Sequence, residues 1–333
     1  MKKIKVFFKT QQERKQQRQT AIRITAVSCI FAAIAVCSFI FYQREKNKIS
    51  INTARILWEQ SDYPGVYRVT QVLLTKKPFN KAALAYRGFS AFYLSAAETD
   101  LNLAQSYLDE AIISMRKALY KADGRILAQL FYMLGKAYFY KNTISAYYYY
   151  ADLAAEYLNR AKMEGFAAPD IPELLGLSYA ALGMTGESIA AFSEALLKRD
   201  SDTLKLAIAE QYYNVSQEEA AEQHLLQAKQ YLSLAKSYLS KVCEGADDVL
   251  ALKSRFFLGS IYLDEGDTAS ARTEFQEIVN KDPLSPEGYY GMGLLYEKQG
   301  DYAGARAQWR KAQQYDPNHK GSRQKLDDTP NAR

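Results

Sequence analysis

The sequence predicts an all-α protein: a right-handed α-solenoid of about seven helix pairs preceded by one transmembrane helix. Three observations predict it. A 34-residue pattern recurs without gaps near the C-terminus, a series of small residues carries that pattern upstream, and a 19-residue stretch without a charge follows a basic arm. Only 17 Gly and 8 Pro in 333 residues leave little room for turn-rich β folds or low-complexity sequence. A content of 48% hydrophobic and 24% charged residues is a globular balance.

The first element is a basic arm, residues 1–23. Lys2, Lys3, Lys5, Lys9, Arg14, Lys15, Arg18 and Arg23 oppose only Glu13, so the arm carries +7. The whole chain carries +6, which leaves about −1 for the remaining 310 residues. The basic pI therefore describes an N-terminal arm, not a basic domain, and no basic face for nucleic acid is expected on the folded part.

The second element is Ile24 to Tyr42, ITAVSCIFAAIAVCSFIFY. As a helix it would span about 28 Å, the thickness of a bilayer core. More Lys and Arg precede it than closely follow it, so the positive-inside rule puts the N-terminus in the cytoplasm and the residues beyond 42 outside. Ala33 and Ala35 also form a cleavage-site pattern, and Cys37 would be needed for a lipid anchor. The apolar run continues seven residues past Ala35, and Cys37 lacks the small residues of a lipoprotein signal; both favour a retained span.

The third element is the repeat region. FFLGSIYLDEGDTASARTEFQEIVNKDP, from Phe256, aligns with YGMGLLYEKQGDYAGARAQWRKAQQYDP, from Tyr290. Gly259 matches Gly293, Tyr262 matches Tyr296, and Gly266-Asp267 matches Gly300-Asp301. Ala271 matches Ala305, Phe275 matches Trp309, and Pro283 matches Pro317. Small residues let two antiparallel helices approach, large ones fill the space between them, and Gly-Asp turns the chain and caps the second helix. Ser285-Pro286-Glu287 is a helix start, and proline past the second helix stops it. A single pair cannot bury its apolar face, so pairs stack.

This pattern resembles the tetratricopeptide repeat. A third good copy holds Gly176, Tyr179, Gly183, Phe192 and Ala195. The small residues in register are Ala54, Gly88, Gly135, Gly176, Ala209, Gly259 and Gly293, with spacings of 34, 47, 41, 33, 50 and 34. That makes seven units over residues 49–318, four of them degenerate. Units two, three and five carry insertions, expected as longer second helices or longer connections. The fourth element, residues 319–333, reads as a capping helix to Asp328 and a disordered tail.

No phosphate-binding glycine loop is present, and His224 and His319 have no neighbouring second His or Cys at ligand spacing. Cys243 is the only cysteine beyond the apolar stretch, which excludes a disulfide framework there. The chain is therefore expected to be non-catalytic, without cofactor or metal, and to work by its surface.

In tetratricopeptide arrays the first helices line a concave face that binds peptides. The resemblance puts there Phe89, Phe92 and Tyr93 in unit two and Tyr132, Lys136, Phe139 and Tyr140 in unit three. It adds Leu177 in unit four, Phe256 in unit six, and Tyr290 and Leu294 in unit seven. Members that clamp a C-terminal carboxylate use Lys, Arg and Asn at such positions, and only Lys136 is of that kind here. The groove is instead aromatic and apolar, suited to a helix or an extended apolar segment. The same rings can equally serve to pack unit against unit, and Tyr147 to Tyr150 is a second candidate patch.

The expected function is a membrane-anchored scaffold or adaptor. It would sit in the cytoplasmic (inner) membrane, contact the bilayer through residues 24–42, and hold its array on the extracytoplasmic side. Its protein or peptide partner would belong to a cell-envelope assembly: a translocon, an outer-membrane assembly machine, or a secretion or flagellar motor structure. The alternative is a receptor for polypeptides in transit, with the array in the cytosol.

Overall fold

The computed structural model describes residues 34, 36, 38, 49–120, 122–145, 149–245 and 248–328. The basic arm and the last five residues lie outside them. So does the expected transmembrane helix, except for Ile34, Val36 and Ser38, which are helical and exposed. Among the described residues no helix is long and apolar enough to cross a membrane.

Fifteen named helices, and no strand, make up the described residues from Ile51 onward. They run as seven pairs: α1 (Ile51–Glu59) with α2 (Tyr63–Lys76), α3 (Lys81–Ala97) with α4 (Leu101–Leu119), α5 (Gly124–Ile144) with α6 (Ala151–Met163), and α7 (Ile171–Ala181) with α8 (Thr185–Lys198). Then come α9 (Asp202–Ala221) with α10 (Leu225–Cys243), α11 (Asp248–Glu265) with α12 (Thr268–Lys281), and α13 (Pro286–Lys298) with α14 (Tyr302–Tyr315). A single helix, α15 (Lys320–Asp328), follows. The chain divides into two compact units, residues 1–90 and 91–333, and the boundary falls inside α3.

The turn before the second helix has a recurring cause. Gly266 and Gly300 take φ of +83° and +80°, which costs glycine nothing, and the next residue, Asp267 or Asp301, caps the helix. Asp267 accepts from the Ser270 N–H at 3.1 Å and Asp301 from the Gly304 N–H at 2.8 Å. The first pair repeats the device with Ser61 at φ +58° and Asp62 accepting from the Gly65 N–H at 2.8 Å. The fifth pair turns at Gln223, φ +66°, without a side-chain cap.

In the first unit, Trp58 near the end of α1 packs against Tyr63, Tyr86 and Phe89, with ring centroids 5.4, 5.9 and 5.8 Å away. Arg87 lies buried between α3 and α2. Its guanidinium sits 3.3 Å over the Tyr67 ring, and Nη1 donates to the Tyr67 carbonyl at 2.8 Å.

In the second unit each helix packs on the next, and first helices also touch first helices: α5 meets α7, α9 meets α11, and α11 meets α13. This stacking follows from the small residues. All seven in the series are buried. A Cβ on Gly135 would fall 2.6 Å from Leu158 Cγ, and one on Gly176 or Gly259 would fall 2.5 Å from the Phe192 or Phe275 ring. Gly293 faces the Trp309 indole, which is fully buried. A side chain at these positions would push each pair apart.

The insertions differ in part from the expectation. In unit three the extra length goes into the first helix, α5 with 21 residues, and the connection after it, while α6 has only 13. Units two and five lengthen both members of the pair. In units two and five the added length is helical on both sides of a short turn. The array ends on α15, whose Leu326 carbonyl accepts from Arg306 at 3.0 Å and whose Lys325 pairs with Glu297 at 2.6 Å.

Candidate functional site

On α5, residues 132, 136, 139 and 140 lie at helical spacings of four, seven and eight, so they share one stripe. The structure joins three of them to partners inside the protein. The Tyr132 hydroxyl donates to Asp170, with both carboxylate oxygens at 2.8–2.9 Å, and its ring stacks on Phe166 at 4.8 Å. Lys136 Nζ donates to Asp170 Oδ2 at 2.9 Å and to the Tyr132 oxygen at 3.2 Å. Phe139 packs into the cluster of Leu158, Ile171 and Leu174.

Asp170 sits at the N-cap of α7 but makes no side-chain cap bond, because its carboxylate is turned to α5. Burial pushes the Tyr132 phenol up to about 12, with Asp170 adding to the rise and Lys136 opposing it. Burial alone would lower the Lys136 ammonium, but its bonds to Asp170 and Tyr132 outweigh that and hold it above its ordinary value. The one cation suited to a carboxylate clamp is therefore neutralised by the protein's own aspartate.

The aromatic residues sort by burial. Phe89 and Phe92 are 2% and 3% exposed and belong to the core, which corrects the expectation that both line an open groove. Their helix, α3, is long enough to carry rings on its packed side as well as its outer one. Tyr93 is half-buried, edge-on to Phe92 at 5.5 Å. Tyr140 is 39% exposed and stands edge-on over Phe92 at 5.3 Å, the most open of the expected groove rings. Leu177 on α7 is comparably open at 40%. Of the Tyr147 to Tyr150 run, Tyr149 is exposed and Tyr150 half-buried; the other two lie outside the described residues.

A second surface lies on α11 and α13. Phe256 stacks on Tyr290 at 6.1 Å and packs against Phe275 at 5.8 Å, and Leu294 joins the same cluster. Beside Phe256 opens a cleft of about 370 Å³, with Leu252, Phe256 and Ile278 as apolar walls and Lys253, Asp282 and Glu287 around them. Tyr290 touches His319 with ring centroids 5.0 Å apart, so its outer side is covered by the residues leading into α15.

Elsewhere the chemistry is sparse. Cys243 is buried, and burial pushes its thiol up to about 11, away from reactivity at neutral pH. Glu219, Glu222 and His224 gather at the α9–α10 turn with ligand atoms within 4.8 Å of one another. His224 Nδ1 is 2.9 Å from Glu219 Oε2, a surface contact that ties down the turn. Sequence reading missed this group because only His and Cys were weighed as partners of His224, and its neighbours here are glutamates. It also missed Asp170, which in sequence is only a helix start before Ile171-Pro172.

A tetratricopeptide-repeat family profile matches residues 286–319, which hold α13 and α14. Among solved structures, the chain is similar to the C-terminal part of a TPR repeat-containing protein from Cytophaga hutchinsonii. The two share 16% identity over 83% of this chain and 99% of that one, with a TM-score of 0.52. A tetratricopeptide repeat protein from Parabacteroides merdae aligns at 16% identity over 83% and 96% of the two chains, TM-score 0.45. A thermophilic TPR protein from Thermus thermophilus aligns at 18% identity over 60% and 97%, TM-score 0.42. No curated protein sequence matches the chain. The Cytophaga likeness is one of fold: an all-helical repeat array of the tetratricopeptide type.

Proposed function

We propose that this tetratricopeptide-repeat solenoid is a non-catalytic, membrane-anchored scaffold that binds protein partners in a cell-envelope assembly. The translocon, outer-membrane assembly, secretion and flagellar motor machineries are the settings that fit. The single observation that carries the binding mode is the pairing of Lys136 with Asp170, one helical turn from an exposed Tyr140. A first-helix face whose cation is internally neutralised, and whose open residues are Tyr140 and Leu177, favours an apolar helix or strand over a free carboxylate.

The anchor rests on the charge-free stretch 24–42 behind the +7 arm, which directs the array away from the cytoplasm. Alkaline phosphatase fused after Arg333 should be active in a bacterial host, and the chain should stay with the membrane fraction in alkaline carbonate. An inactive fusion on a membrane-bound chain would reverse the orientation and favour the cytosolic receptor for polypeptides in transit. A chain released by carbonate would remove the anchor from the account.

A further inference from the structure

We infer that the first helix pair lies on the bilayer surface, docking onto anionic lipid headgroups through the α2–α3 loop with Phe79 entering the interface. This rests on the reading of residues 24–42 as a span. Three observations carry it: where the chain leaves the apolar stretch, which end of the first unit that is, and what side chains stand there.

Eight residues, 43–50, separate Tyr42 from the start of α1, a reach of at most about 28 Å. The first unit must therefore sit against the membrane that holds the span. Helix contacts fix which end faces it. Trp58, seven residues into α1, packs on Tyr86 and Phe89, five and eight residues into α3. The starts of α1 and α3 are thus level, at the end of the unit where the tether enters. The α2–α3 loop, residues 77–80, leads directly into α3 and so lies at that same end.

That end is basic and apolar. Lys76 and Lys77 are exposed, Lys81 opens α3, and between them Phe79 is 80% exposed. The acidic residues of the pair, Glu59 and Asp62, stand at the opposite end, around the α1–α2 turn. Over residues 43–90 nine Lys and Arg oppose three Asp and Glu, a net +6, whereas residues 91–333 carry −7. The near-neutral total of the chain beyond the span hides this polarity. An exposed phenyl ring flanked in sequence by lysines is a composition that settles at a charged membrane interface: the ring enters the headgroup boundary while the ammonium groups stay at the phosphates.

The full chain carrying Phe79→Trp, reconstituted into vesicles, tests this. Vesicles of phosphatidylcholine alone, and of phosphatidylcholine with phosphatidylglycerol, each contain brominated acyl chains, and the wild-type chain supplies the background from Trp58 and Trp309. Expected is flotation with both vesicle types, with quenching of the added indole only on the anionic vesicles. That quenching should be lost on adding Lys76→Glu and Lys77→Glu, or in 0.5 M salt. Flotation without such quenching overturns the docking while the anchor stands. Equal quenching on both vesicle types overturns the role of anionic lipid. Failure to float with either overturns the anchor and the docking with it.

Discussion

Gly293 shows how one residue decides the spacing of a helix pair. A Cβ there would enter the Trp309 indole, which is fully buried and has nowhere to retreat. Gly293→Leu is expected to cost about 1–3 kcal/mol in a urea melt, as overpacking does. Gly186, with open space around it, is the control: Gly186→Ala should leave stability unchanged or raise it by up to about 1 kcal/mol. Phe92 and Tyr140 divide in the same way. Phe92→Ala is expected to lose about 3–5 kcal/mol because the ring is core, while Tyr140→Ala should leave the melt nearly unchanged. An equal loss for both would make Tyr140 core as well. The Tyr132–Lys136–Asp170 group adds a pH dependence. Folding holds the Tyr132 proton more tightly, to about 12, so its contribution is complete below pH 10 and is lost as pH rises from 10 to about 12. Lys136, raised above 10.5, acts in the same direction, and burial shifts Tyr86, Tyr138, Tyr212, Tyr213 and Tyr290 likewise. Urea midpoints should therefore be flat from pH 7 to 9.5 and fall beyond pH 10, and Tyr132→Phe should fall less steeply. Lys136 was legible in sequence as a lysine on the first-helix face. Its partner was not, since Asp170 lies 34 residues away and reads as an ordinary cap.

At the scale of the element, the second helix follows a left-handed residue in units one, four, five, six and seven, and in units one, six and seven an aspartate cap comes next. Gly266-Asp267 and Gly300-Asp301 announce this in sequence, because only glycine takes that backbone without cost. Ser61 and Gln223 hold the same conformation without a glycine to mark it. The first unit was therefore legible only backwards from Lys77-Pro78, with Ser61-Asp62-Tyr63 as its turn, and the fifth only weakly through Ala209 and Tyr212; Ala54 and Ala209 are both buried without exposure. Gln223 bears a steric cost there that glycine would not, of roughly 1 kcal/mol. Gln223→Gly is accordingly expected to raise stability by up to about 1 kcal/mol in thermal or urea unfolding. A loss would mean that the Gln223 side chain supports the turn. The insertions were visible as spacings of 47, 41 and 50, but not their destination. Helix length depends on where each end finds a cap or a neighbour, and the α5 sequence stays apolar and helix-favouring across the extra turns.

For the whole molecule, the repeat period was the most legible property, since it is written in residues whose size alone decides whether two helices can meet. The burial of the aromatic rings was less legible: a first helix presents its rings both inward and outward, and the face each takes depends on its packing neighbour. Phe92 therefore went to the core while Tyr140, eight positions past Tyr132 on α5, reached the surface. Charge polarity along the chain, +6 over residues 43–90 and −7 beyond, emerged only once the unit boundary after Ser90 was known. The central claim is that the first-helix face of this array holds a protein partner while the chain is in the membrane. The most direct measurement places a photo-crosslinking amino acid at Tyr140 or Leu177 in the membrane-bound full chain, with Leu197 on α8, 90% exposed, as the comparison. The account predicts a discrete protein adduct from positions 140 and 177 in the membrane fraction and none from position 197. Adducts from 197 alone, or from no first-helix position, would contradict it.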